Sequence, residues 1–168
     1  MQSVFDHIGG GKEWSLDSLR NKFFMHFNNK NFEGEYERDF ISHVVDYLQK
    51  SSSEITVIMG SKMLCNIDLK AIIKIHQQYD RDMTVVYKRV TPENISRDNL
   101  LIDLESDGNI SLCHSSDNEL EVMEKYNLCM DIFIVKTKWS IDILENDENK
   151  MNSIIKILRG KIDNESCM

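Results

Sequence analysis

An α/β fold with a mostly parallel sheet is what this chain predicts, and three segments carry the prediction. Ile55-Thr56-Val57-Ile58-Met59 and Met83-Thr84-Val85-Val86-Tyr87 are short β-branched runs without polar alternation. Such runs suit strands covered on both faces. Between them, Ile72, Ile73 and Ile75 give a helical stretch an apolar surface. Strand, helix and strand within about 35 residues read as a right-handed parallel crossover.

The elements follow in order. Met1 to Ile8 reads as the end of a helix broken by Gly9-Gly10-Gly11. Residues 12–37 are polar, rich in Asn and Lys, and read as a long connecting loop. Phe40, Ile41, Val44, Val45 and Leu48 recur at helical spacing, so a helix is expected from Arg38 to Lys50, closed by Ser51-Ser52-Ser53. The strand from Ile55 ends at Gly60. Asp68 is placed to cap the helix running to about Tyr79.

Beyond the second strand the pattern changes. Leu100 to Leu104 and Ile110 to Cys113 flank Ser106-Asp107-Gly108-Asn109, which predicts a hairpin. Cys129 to Val135 is a third buried strand, followed by helical stretches over Thr137 to Leu144 and Met151 to Leu158. Residues 161–168 read as a frayed tail. The whole is taken as one domain, 1–168, a length usual for a single core.

Bulk composition removes several function classes. A net charge of −8 opposes a general nucleic-acid binder, which needs a basic face against phosphates. It also suits an anionic membrane surface poorly, and no apolar run approaches the roughly 18 residues of a membrane span. Cys65, Cys113, Cys129 and Cys167 are widely separated and contain no C-x-x-C pair. Reduced thiols in a cytoplasmic protein are the expectation.

The usual catalytic patterns fail on their details. Gly9-Gly10-Gly11-Lys12 lacks the spacing, the preceding strand and the hydroxyl of a phosphate loop, since Glu13 follows the lysine. His7, His26, His43, His76 and His114 show no short metal-ligand spacing, and His76 reads as a solvated residue on a polar helix edge. No Gly-x-Ser-x-Gly elbow is present. Asp103, Glu105 and Asp107 lack the glycine and terminal glutamate of a calcium loop, so a solvated edge is expected. The sharper position is Gly60-Ser61, at the carboxyl end of a strand where α/β sheets hold ligands. A magnesium ion facing a triphosphate needs one or two carboxylates there, and this edge supplies a serine and a lysine.

Four segments together resemble the glucose-1-phosphate adenylyltransferases (ADP-glucose pyrophosphorylases). Asp6-His7-Ile8-Gly9-Gly10-Gly11-Lys12-Glu13-Trp14-Ser15-Leu16-Asp17 resembles the family's D-H-[I/L]-G-x-G-K-E-W-x-L-D stretch. Val57 to Asp68 is similar to its strand-to-loop segment, and His76 with Asp82 to Lys88 continues the match in order. Asn127-Leu128-Cys129-Met130-Asp131-Ile132-Phe133 looks like the strand reading S-M-G-I-Y in catalytic members. The first motif is fairly specific, and so is the order of all four.

The resemblance implies a Rossmann-like nucleotidyltransferase fold of three layers, without the family's first strand and glycine-rich loop and without its C-terminal β-helix. It also implies which contacts are altered. Catalytic members carry Gly-Asp at Gly60-Ser61, where the aspartate holds Mg²⁺; serine there is similar to the regulatory, GlgD-type members, as is Cys65-Asn66-Ile67-Asp68. The sugar-phosphate Glu-Lys-Pro segment falls near Leu112 to Ser116, where this chain has Cys113, His114 and Ser115. Cys129 stands for the later strand's serine and Asp131 for its glycine. The expectation is a non-catalytic or regulatory homologue in glycogen biosynthesis, with no catalytic or metal-binding residue. Gly60, Ser61, Asp68, His114, Cys129 and Asp131 would line a vestigial substrate cleft, no cofactor is expected, and the partner would be a catalytic subunit or a second copy. Two alternatives stand beside it. One is an active enzyme that recruits another carboxylate such as Asp68 for metal; the other is an interaction module without a glycogen role.

Overall fold

The computed structural model describes residues 35–60, 65–97, 99–116 and 123–146. The chain separates into two compact units, Met1–Tyr36 and Glu37–Met168, and the described elements belong to the second apart from the start of the first helix. The expectations for 1–34, for Met151 to Leu158 and for 161–168 lie outside the described residues.

Helix α1 spans Glu35–Lys50 and begins ahead of the expected Arg38. Ile41, Val44, Val45 and Leu48 form its i, i+3, i+4, i+7 stripe, which packs on Trp139, Ile141, Ile143 and Leu144 of α3 (Thr137–Glu145). Val45 and Leu48 are buried in that contact. The serines after Lys50 end the helix by local hydrogen bonding. Ser53 N donates to Ser51 Oγ at 3.2 Å, and Ser53 Oγ to the carbonyl of Ile55 at 2.7 Å.

Strand β1 (Ile55–Met59), helix α2 (Leu69–Tyr79) and strand β2 (Met83–Val90) stand where the sequence placed them. Asp68 caps α2 as expected, its Oδ1 accepting from Ala71 N at 3.1 Å. Strands β3 (Leu100–Leu104) and β4 (Ile110–Ser115) form the hairpin. Gly108 at its turn has φ +86, a conformation open to glycine and poor for other residues. The turn closes through Glu105 N to the Asn109 carbonyl at 2.8 Å, and Asp107 accepts from Asn109 N at 3.0 Å. That carboxylate serves the turn.

The sheet corrects the expected mostly parallel arrangement. Among the described residues it is an open five-stranded sheet, and every strand pair in it is antiparallel. Strand β5 (Tyr126–Lys136) is the hub. β2 pairs with it from Tyr126 to Val135. Its other edge is shared end to end, β3 meeting Leu128 and β1 meeting Ile132 to Lys136. Since β1 and β2 are both antiparallel to β5, they run parallel to each other with β5 between them. The strand–helix–strand unit is therefore a crossover that leaves room for one more strand, supplied from 40 or so residues later in the chain.

An apolar run reports cover on both faces, and direction is silent in it. Phe133, Ile134 and Val135 are consecutive and all 0% exposed, although successive strand residues point to opposite faces. One face holds Leu100, Ile102, Cys129, Phe133 and Val135, with Trp139 of α3 packed against them. Val90, Leu101, Tyr126 and Leu128 form a further cluster with Ile95. Each fully buried side chain of this kind contributes about 1.5–3 kcal/mol by leaving water.

Candidate functional site

The candidate site is the point where β1 ends on β5. Met59 pairs with Ile132, and the next residue, Gly60, donates its N–H to the carbonyl of Asp131 at 2.7 Å. On the other side of β5 the register slips. Val85 faces Phe133 but Tyr87 faces Cys129, so the single residue Val86 opposes Met130, Asp131 and Ile132. This is a bulge in β5, and it falls where that strand changes neighbours from β3 to β1. Bulges re-aim side chains and bend strands at such junctions.

Asp131 makes the bulge with φ 53, in the left-handed region. Asp and Asn enter this region more readily than other side-chain-bearing residues, because a short polar group bonds locally. Asp131 is 3% exposed and Cys129 0%. The thiol lies 4.0 Å from Asp131 Oδ1, a long, weak S–H to carboxylate contact. A buried carboxyl group and a buried thiol thus sit on β5 just past its last pair with β1.

Of the six residues expected to share a cleft, Gly60, Cys129 and Asp131 are brought together. His114 lies on β4 in backbone register with Leu101, which in turn pairs with Leu128, the neighbour of Cys129. The sheet thus sets His114 two strands, roughly 10 Å, from β5. Asp68 is exposed and serves as the cap of α2. Ser61 lies outside the described residues. Among the described residues, no three His, Cys, Asp or Glu side chains converge to hold a metal ion. No helix among them is long and apolar enough to cross a membrane.

His76 corrects the reading of a solvated histidine, for it is 2% exposed. Leu69, Ile72, Ile73 and His76 stand at i, i+3, i+4 and i+7, so the histidine closes the half-buried stripe of α2 and is its one buried member. Ile75, one position off that stripe, is 49% exposed. The spacing was the available signal. His76 Nδ1 lies 2.8 Å from Thr84 Oγ1 on β2, whereas Nε2 is buried without a hydrogen-bond partner among the described residues. Burial, and then the positive charge of Lys136, hold its pKa below the ordinary 6.5, against the opposing pull of Asp82 and Asp80.

Lys136 ties the ends of three elements together. Its ammonium lies 3.0 Å from a carboxylate oxygen of Asp80 and 3.0 Å from one of Asp82, and it donates to the Asp80 carbonyl at 3.1 Å. Hydrogen bonds to Asp82 and then to Asp80 raise its pKa. Asp80 itself closes α2 in the left-handed conformation, with φ 49.

No family model matches the chain. It is 34% identical over 92 residues to "Glycogen biosynthesis protein GlgD" of Bacillus subtilis (strain 168), an alignment covering 52% of this chain and 26% of the relative. It is 32% identical over 92 residues to the protein of the same name from Geobacillus stearothermophilus, covering 52% of this chain and 27% of that one. The chain thus spans about a quarter of the length of these curated relatives, and over half of its own length it is similar to glycogen biosynthesis proteins of the GlgD kind.

Proposed function

We propose that this chain acts in glycogen biosynthesis as a non-catalytic, regulatory homologue of glucose-1-phosphate adenylyltransferase, working through association with a catalytic subunit. The observation that carries the reading is its similarity to the two GlgD proteins. The chemistry of the β1 edge supports it. Residue 61 is a serine, and a neutral hydroxyl holds Mg²⁺ against a nucleotide's phosphates far less well than a carboxylate. Losing such a ligand removes several kcal/mol of transition-state stabilisation.

The β5 bulge adds a second line of support. In the strand that Asn127 to Phe133 resembles, catalytic members place glycine where this chain has Asp131, at the residue with positive φ. Asp131 adds a side chain, almost wholly buried, at a position that a glycine leaves open. The alternative of an active enzyme borrowing Asp68 is weakened, because that carboxylate already caps α2. A nucleotidyltransferase-type α/β core, with β5 running between the parallel β1 and β2, is part of the proposal.

The test is enzymatic and has two arms. The purified chain with ATP, glucose 1-phosphate and Mg²⁺ is expected to release no pyrophosphate above background. Mixed with a catalytic adenylyltransferase subunit, it is expected to change that subunit's rate or substrate affinity in a saturable way. Magnesium-dependent pyrophosphate release by the chain alone overturns the non-catalytic reading. A catalytic subunit whose kinetics are indifferent to saturating chain overturns the regulatory one.

A further inference from the structure

Strand β2 closes the sheet on one side, for it pairs with β5 and with no other strand among the described residues. The groups it turns outward follow from one bond. Lys136 N donates to the Asp82 carbonyl at 3.0 Å, which marks these two as a hydrogen-bonded pair of the ladder. Backbone groups alternate in direction along a strand, so Met83, Val85, Tyr87 and Arg89 turn their N–H and C=O away from β5. An open row of this kind is a template for another strand.

The surface beside the row is apolar. Thr84 bonds to His76 of α2, whereas Met83 and Val85 pack with Phe133 and Trp139, so these residues lie on opposite faces of β2. A cavity of about 440 Å³ is lined by all three, and a space touching both faces of an edge strand reaches round its free edge. Ile75 and Tyr79 of α2 and Tyr87 of β2 also line it, and they are 49%, 64% and 39% exposed. Exposed apolar residues gathered in this way mark an interaction surface.

We propose that β2 pairs antiparallel with β2 of a second copy of this chain, across a two-fold axis at Val86, to give one continuous sheet. Both residues of each new hydrogen-bonded pair must present outward groups, so odd-numbered residues face one another. With the axis at Val86, Val85 meets Tyr87 and Met83 meets Arg89, each twice by symmetry. Val85 beside Tyr87 is an aromatic and β-branched pair of the kind that stabilises sheets. Lys88, exposed and without an ion pair among the described residues, comes diagonal to Asp82 of the second copy. Negative charge is left at that end, since the one ammonium of Lys136 answers both Asp80 and Asp82. An axis at Val85 would set Arg81 against Arg89, like charges directly opposite, and is disfavoured. The axis stands perpendicular to the sheet and returns each face to itself, so Ile75 and Tyr79 of the two α2 helices meet at the join. The pairing does not depend on any role in glycogen biosynthesis.

The experiment combines sedimentation equilibrium of the chain with amide hydrogen exchange read by NMR over a concentration series. A monomer–dimer equilibrium at micromolar chain is expected, with the Met83, Val85, Tyr87 and Arg89 amides protected only as the dimer forms. Two variants address the edge. Lys88→Glu brings a like charge toward Asp82, and Arg89→Pro removes an outward N–H that the fold does not use. Each is expected to weaken the dimer at least about tenfold, with Lys88→Glu keeping the Tm of the parent. Should Arg89→Pro fail to fold, Lys88→Glu alone decides. A chain that stays monomeric with all four amides exchanging freely overturns the proposal. Protection independent of concentration overturns it too, because another part of the same chain then fills the edge. A dimer that Lys88→Glu leaves at full strength places the interface elsewhere and also overturns it.

Discussion

Gly60 gives its amide hydrogen to the backbone carbonyl of Asp131 at 2.7 Å, joining the first residue beyond β1 to the left-handed residue of the β5 bulge. The bond holds the end of β1 against the one place where the central strand leaves regular geometry. The lip of the candidate site is thus set by a backbone contact between two residues about seventy positions apart, and side-chain changes at Asp131 act on it through the bulge.

The first prediction concerns that bulge. A non-glycine residue in the left-handed region costs about 1–2 kcal/mol, and a β-branched one is worse because its side chain crowds the backbone. Asp131→Val is expected to lower stability by more than about 2 kcal/mol, since it adds strain and removes a buried carboxylate. Asp131→Asn and Asp131→Gly are expected to cost less, because both residues tolerate positive φ. Urea denaturation of the three variants gives the order; Val equal to Asn would contradict it.

The cap of α2 gives a second test. Asp68→Ala leaves the Ala71 amide unsatisfied and is expected to cost about 1 kcal/mol, with Asp68→Asn recovering most of it. Thermal unfolding measures both. Equal losses in the two variants would show that the negative charge, rather than the capping bond, is what the position supplies.

The helix-to-helix contact is the third. Leu48 of α1 is 8% exposed and packs with Ile143 and Leu144 of α3. Truncation to alanine removes buried methyl groups and leaves a cavity, so Leu48→Ala is expected to cost about 2–5 kcal/mol. Ser42, exposed on the same helix, is expected to tolerate alanine with a change below about 0.5 kcal/mol. Chemical denaturation of the pair separates the buried stripe from the exposed face.

The local parts of this fold were legible in the sequence, and the non-local parts were not. Asp68 and the run after it, the Asp107-Gly108-Asn109 turn and the β-branched runs of β1 and β2 each state their structure within a few residues. Strand direction has no such local mark. The place of β5 depends on a segment forty residues beyond β2, and Phe133, Ile134 and Val135 read alike in a parallel or an antiparallel sheet. In the candidate site, Gly60, Cys129 and Asp131 were found together because the residues around them resemble one family's strand ends. The bulge that gives Asp131 its conformation arises from a mismatch in register with β2, which neither strand shows alone. His76 was misread although the stripe Leu69, Ile72, Ile73 and His76 contained the answer, because Ile75 drew the apolar face one position away.

His76 supplies a pH prediction. Its folded pKa is depressed below 6.5, so the unfolded chain binds the additional proton first as pH falls. Stability contributed by the neutral buried ring is therefore complete above the unfolded value and lost as pH drops below it toward the folded value. Lys136, Asp82 and Asp80 are the charged groups that act on the ring. Denaturation midpoints are expected to fall between neutral pH and pH about 5, and the fall is expected to be shallower in His76→Gln. A parallel pH slope in the two proteins would assign the effect to other groups.

Sedimentation velocity of the fluorescently labelled 19.6 kDa chain, titrated with a catalytic glucose-1-phosphate adenylyltransferase subunit, bears most directly on the proposed role. A saturable shift of the labelled chain into a faster complex at micromolar subunit is the predicted result. A chain that keeps its own sedimentation coefficient throughout that titration would contradict the account.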